Sequence, residues 1–191
     1  MLIRRSRRSF VLIAAGSALA LTLVVGTLAR AQGRPQFRDW KPSPGGPVKT
    51  KLACGALKSL TDYEFSINTA ALVASGSDAP EHCRVTGQIL PEVRFELSLP
   101  TAWNRRFYML GNGGFAGQLP GARFFPRDNA LKHGFVVAVT DTGHDASLEP
   151  LASFAVNRQK LIDYAYRAIH VTAMTARQIL RAYYEIGRAH V

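Results

Sequence analysis

The segment Gly111-Asn112-Gly113-Gly114-Phe115-Ala116-Gly117 puts four glycines into seven residues. It follows directly on a short apolar run, Arg106 to Leu110. Two chemistries use such a loop. Acyl transfer passes through a tetrahedral oxyanion, which needs N–H donors already in place. Consecutive glycines let the backbone approach a substrate closely and adopt positive φ. The alternative is a phosphate cradle, and Gly111-x-Gly113-x-x-Ala116 is near a dinucleotide fingerprint. That fingerprint requires an amphipathic helix behind the loop and an acidic partner after a following strand. Neither is legible here, so the pattern favours oxyanion binding by Gly113 and Gly114.

Asp141-Thr142-Gly143-His144-Asp145 is the second polar cluster, after the apolar run Phe135 to Val139. Catalytic groups collect at the carboxyl ends of parallel strands. An acid–base pair would need a nucleophile in an elbow, and the chain has no Gly-x-Ser-x-Gly sequence. The favoured reading is therefore a polar turn bonding its own backbone. Ser147 and Ser153 stand in loops without elbow geometry. His170 reads as a packed, hydrogen-bonded helix residue, and His82 and His133 sit beside turns. No catalytic residue is assigned. No metal or cofactor ligand is assigned either.

These groups belong to a chain of 191 residues, of which 47% are hydrophobic and 19% charged, with a formal charge of +11. Five of the 24 basic residues (Arg4, Arg5, Arg7, Arg8 and Arg30) lie in the first 31 positions. Removing that segment leaves 19 basic against 13 acidic residues, a net charge of +6. No dense Lys/Arg run with interleaved aromatics remains, which argues against a nucleic-acid partner. Residues 1–31 read as a signal peptide: a positive start, an apolar stretch from Phe10 to Ala29, and Ala29-Arg30-Ala31 as the small-x-small cleavage site. Ser6-Arg7-Arg8-Ser9-Phe10-Val11-Leu12 also resembles a twin-arginine signal. The competing reading is an uncleaved anchor, since about 20 apolar residues can span a bilayer. The expected destination is the periplasm or the exterior, with membrane contact only through the export signal. There Cys54 and Cys83 form either a disulfide or two buried free thiols. Closing a loop of about 30 residues would contribute on the order of 3 kcal/mol.

Residues 32–50 are rich in Pro and Gly and read as a linker, with structure expected from Lys51. Cys54 to Leu60 suits a short helix. Glu64 to Leu72 and Arg84 to Leu90 suit strands. Val93, Phe95, Leu97 and Leu99 alternate with Arg94, Glu96 and Ser98, which predicts a strand with one face in the core and the other toward water. Pro100 ends it. Arg106 to Leu110 and Phe135 to Val139 are short apolar strands, the second of parallel type, covered on both faces. Leu161 to Tyr184 is predicted as one long helix, with Leu161, Tyr164, Ala165, Ala168, Thr172, Ala176, Ile179 and Tyr183 as its buried stripe. The fold class is α/β, and the domain proper covers residues 51–184.

Several motifs together resemble the tannase and feruloyl esterase family. They are Cys54, then Cys83-Arg84-Val85-Thr86-Gly87, then Phe95-Glu96-Leu97-x-Leu99-Pro100 and Trp103-Asn104-Arg105-Arg106-Phe107. The glycine loop, Thr140-Asp141-Thr142-Gly143-His144 and Asp163-Tyr164-Ala165-Tyr166-Arg167-Ala168-x-His170 complete the match. The resemblance implies the N-terminal part of an α/β-hydrolase core. It implies a Ser-His-Asp mechanism on esters of aromatic acids such as gallate or ferulate. It supports Gly113 and Gly114 as oxyanion residues and Cys54–Cys83 as a disulfide. In the family the nucleophile elbow, the acid, the histidine and a lid domain that often binds calcium all follow this region, and none has a counterpart here. Residues 185–191 match the peptide expected from a translated sequencing adapter, so the natural gene is expected to continue past Tyr184. The chain as given is expected to be inactive. The competing functional reading is an exported, non-catalytic module binding a sugar or phenolic ligand; a membrane-anchored structural protein is a third. Oligomeric state is not legible.

Overall fold

The computed structural model describes residues 45–121 and 127–184, all within the unit Lys41–Val191. The expected signal segment, most of the linker and the tail 185–191 lie outside the described residues. Order begins three residues earlier than Lys51, because β1 (Val48–Lys49) pairs antiparallel with β5 (Ala102–Trp103). A backbone ladder needs no apolar side chains, so composition alone did not reveal this strand.

A 3₁₀ helix spans Cys54–Leu60. The main sheet contains β2 (Phe65–Val73), β3 (His82–Ile89), β4 (Val93–Pro100), β6 (Phe107–Met109) and β7 (Val136–Thr140). Their spatial order is β2-β3-β4-β7-β6. The first four pair antiparallel, and β6 runs parallel to β7 with Tyr108 opposite Val137. The β6–β7 crossover contains α1 (Asp128–Leu131), a single turn without a sequence signal. A second 3₁₀ helix (Ser153–Val156) leads into α2 (Arg158–Ile162), a π-turn (Asp163–Arg167) and α3 (Ala168–Tyr184). Asn157 caps α2, its side chain accepting from the N–H groups of Gln159 and Lys160.

Ile179, Leu180 and Tyr183 of α3 pack with Leu57, Val85, Phe95, Leu97, Leu99, Val136 and Ala138 in one core. Burying each large aliphatic side chain contributes about 1.5–3 kcal/mol. The Cys54–Cys83 disulfide, with Cα atoms 5.5 Å apart, ties the first 3₁₀ helix to β3 inside this core. Gly87 of β3 has no room for a Cβ, which would stand 2.5 Å from the Phe95 ring and 2.3 Å from the Ser66 carbonyl oxygen.

Two expectations are corrected. The polar face of β4 does not meet water: Glu96 and Ser98 are buried. β4 lies inside the sheet between β3 and β7, and Glu96 is held by Arg84 and Arg127, each at 2.7 Å. Periodicity reports which face is apolar, not whether a distant segment covers the polar one. The long helix is also not one α-helix. The expected stripe holds from Ala168 through Thr172, Ala176, Ile179 and Tyr183, but ahead of Ala168 the chain is out of phase with it, so Leu161 and Ala165 are exposed while Asp163 is buried. Among the described residues, no helix is long and apolar enough to cross a membrane.

Candidate functional site

The parallel pairing of β6 and β7 brings both polar motifs to one end of the sheet. The glycine loop leaves the carboxyl end of β6, and Asp141 to Asp145 leave that of β7. The ladder continues one step beyond β6, where Leu110 N–H donates to the Ala138 carbonyl at 2.9 Å. The Asn112 amide then donates to the Thr140 carbonyl at 3.0 Å, fastening the start of the loop to β7.

Within the loop, Ala116 N–H donates to the Gly113 carbonyl at 3.0 Å and closes a four-residue turn. Gly114, its first central residue, has φ +56, a conformation that favours glycine. Gly113, Gly114 and Phe115 are exposed at the tip, while Ala116 and Gly117 are buried at the base. A Cβ on Gly111, Gly113 or Gly114 would meet no atom of the described residues within 4 Å. Internal packing therefore does not require glycine at position 113; the open side of the loop faces outward. Gly117, by contrast, has φ +79 and rests on His144. Its carbonyl accepts from Ala146 N–H at 3.0 Å.

Asp141 is fully buried. Its Oδ1 accepts from the backbone N–H of Arg94 at 3.0 Å and of Gly143 at 2.9 Å. Its Oδ2 pairs with Arg94 Nε, and Arg94 also reaches Asp145 at 3.2 Å. Burial raises the Asp141 pKa above the usual carboxylate range, and outweighs the Gly143 N–H and the Arg94 guanidinium, which act in the opposite direction. The polar-turn reading of Asp141 therefore fits its contacts: it closes the turn on itself and clamps it to β4. Thr142 holds φ +62, uncommon for a β-branched residue, in the middle of this clamp.

His144 is buried with its ring stacked on Phe154 at 3.9 Å, and neither ring nitrogen has a hydrogen-bond partner among the described residues. Its role here is packing beneath the glycine loop. Ser147 Oγ donates to Asp145 Oδ1, and Ser153 opens a 3₁₀ turn. His170 is exposed on α3, not packed as expected, because it lies on the face away from the buried Ala168, Thr172 and Ala176. His82 is buried at the start of β3, with Nδ1 2.8 Å from the Pro80 carbonyl. Among the described residues, no group of three or more His, Cys, Asp or Glu can hold a metal ion.

Two residues of the site escaped the sequence reading. Arg94 looked like a solvent-facing strand residue, yet it carries the Asp141 clamp. Tyr164 looked like part of an apolar stripe, yet its hydroxyl donates to the Gly114 carbonyl at 2.9 Å. The available signal for Tyr164 was its place in the motif Asp163 to His170; periodicity concealed it.

Comparison with known proteins agrees with this geometry. The family model described as "Tannase and feruloyl esterase" matches residues 77–190, more than half of the chain. An uncharacterized esterase of Xanthomonas campestris pv. campestris is 33% identical over 152 residues, covering 71% of this chain and 26% of that protein. Mono(2-hydroxyethyl) terephthalate hydrolase of Piscinibacter sakaiensis is 28% identical over 75% of this chain and 28% of its own length. Feruloyl esterase B of Aspergillus niger is 31% identical over 73% of this chain and 26% of its own length. The chain thus spans about a quarter of the length of these relatives. The crystal structure of an esterase from Aspergillus oryzae shares the fold over 69% of this chain and 30% of its own, with TM-score 0.57 and 20% identity. With motif set, sheet order and family match in agreement, the chain belongs to the tannase and feruloyl esterase family.

Proposed function

We propose that the protein carrying this region is an exported serine carboxylic ester hydrolase acting on esters of aromatic acids, and that residues 45–184 supply its oxyanion loop. The reading rests on one observation: the Gly113–Ala116 turn stands at the carboxyl end of β6 with glycines that its own packing does not require. Attack on an ester carbonyl moves negative charge onto oxygen, and amides already aimed at that oxygen stabilise it in the transition state. Glycine at 113 and 114 leaves the approach to those amides open. The names of two relatives specify ferulate and terephthalate esters, both aromatic carboxylates. The leader at residues 1–31 supports export.

No residue of this sequence is assigned as the nucleophile, acid or histidine of such an enzyme, and the expected outcome for the 191-residue chain is no ester turnover. The test has two arms. The chain as given is assayed on p-nitrophenyl acetate and methyl ferulate. The uninterrupted gene, recovered by long-read sequencing, is expressed and assayed on the same esters. Activity confined to the longer product and abolished by a serine-directed phosphonate is expected. Turnover by the 191-residue chain, or a longer product inert to every aromatic ester, refutes the proposal.

A further inference from the structure

We propose that the π-turn Asp163–Arg167 is the strut that sets the glycine loop, with Tyr164 as the positioning residue for the amides flanking Gly114. The inference deepens the oxyanion reading above and rests on it for its catalytic consequence. Its structural core stands on contacts alone.

A π-turn is rare, occurs mostly as a single turn inside an α-helix, and is frequent at functional sites. Here two successive residues reach two different loops. Asp163 is fully buried under the β7 loop, where a Cβ on Gly143 would stand 2.8 Å from its own Cβ. Arg167 holds Asp163 Oδ1 at 2.6 Å and donates to the Leu90 carbonyl at 2.8 Å, which ties the turn to the β3–β4 connection. Tyr164 turns to the β6 loop and donates to the Gly114 carbonyl. Its ring is backed by Phe154, with centroids 4.9 Å apart, and meets the His144 ring edge-on at 6.1 Å.

The consequence follows from peptide geometry. In a trans peptide the C=O and the next residue's N–H point in opposite directions. Tyr164 holds the Gly114 carbonyl, which directs the Phe115 N–H away from the π-turn. Ala116 N–H holds the Gly113 carbonyl, which directs the Gly114 N–H out of the tight turn. The two peptide planes on either side of Gly114 are thus each fixed by one hydrogen bond. Gly114 is also the residue whose lack of a side chain leaves it most free to rotate. Without the phenol, the Gly114–Phe115 plane loses its external anchor.

Tyr164→Phe removes only the hydroxyl and keeps the ring on Phe154. Tyr166→Phe, on the same turn but exposed, is the control. Hydrogen exchange of the Ala116 amide in the 191-residue chain is expected to rise about five-fold in Y164F, the size of one net hydrogen bond, and to stay unchanged in Y166F. In the longer active product, Y164F is expected to lower kcat on methyl ferulate about tenfold at constant KM, since the loss falls on the transition state. Incorporating 3-fluorotyrosine at position 164, which keeps the donor, is expected to restore both values. Equal Ala116 exchange in Y164F and wild type overturns the strut. So does a fall in kcat without faster exchange, because Tyr164 would then act on substrate directly. Faster exchange in Y164F with a catalytically inert longer wild type leaves the strut standing and refutes the esterase reading instead.

Discussion

Gly117 lies directly against the imidazole of His144: a Cβ built on Gly117 would stand 2.6 Å from Nε2 and 2.8 Å from the Ala146 nitrogen. The end of the glycine loop is therefore seated on the turn that follows β7. One motif supplies the floor of the other.

That seating separates two glycines of one loop. Gly117→Ala adds a methyl group into a buried ring and backbone at positive φ, so a loss of about 2 kcal/mol or more is expected from overpacking and strain together. Gly113→Ala meets no atom of the described residues within 4 Å and should change stability by less than about 0.5 kcal/mol. Urea midpoints of both variants measure this. Equal losses would show that the loop does not rest on His144.

The same Gly113→Ala substitution narrows the open side of the loop. In the longer gene product its expected effect on methyl ferulate turnover is about a hundredfold loss, the scale on which misplaced reacting atoms act. A steady-state assay beside the urea titration decides it. Full activity would remove Gly113 from the substrate's approach.

The Asp141 clamp carries a pH signature. Burial raises its folded-state pKa above the ordinary value of 3.8, despite Gly143 N–H and Arg94. A raised folded pKa means stability that is fully present below the ordinary carboxylate pKa and lost as pH rises through the folded one. Asp141→Asn does not titrate. The stability of wild type relative to D141N should therefore decline as pH is raised from 4 toward 7. Denaturation curves of both proteins across that range test the sign. If wild type gains on D141N instead, the Arg94 ion pair outweighs the burial.

The disulfide offers a fourth measurement. Cys54 and Cys83 are 29 residues apart, and opening that loop should cost about 3 kcal/mol through the unfolded chain's regained freedom. Iodoacetamide should label neither cysteine without reductant, and both with it after unfolding. The urea midpoint should fall in the doubly substituted Cys54→Ser, Cys83→Ser variant. Labelling of the untreated folded chain would contradict the bridge.

The sequence by itself determined the glycine loop, its place after a short strand, the strands of the sheet and the presence of a terminal helix. Each of these is a local matter: turn chemistry and apolar periods of two or 3.6 residues are written in neighbouring positions. Only the tertiary structure decided the rest. Glu96 is buried where Arg84 and the distant Arg127 close over that face of β4, which no alternation of β4 could announce. Arg94 and Asp141, 47 positions apart, meet because β4 pairs with β7. Tyr164 reaches Gly114 because a π-turn is retained where two loops reward it, against the local preference for a plain α-helix. Those relations depend on segments far apart in the chain, and burial joins them only once the sheet has formed.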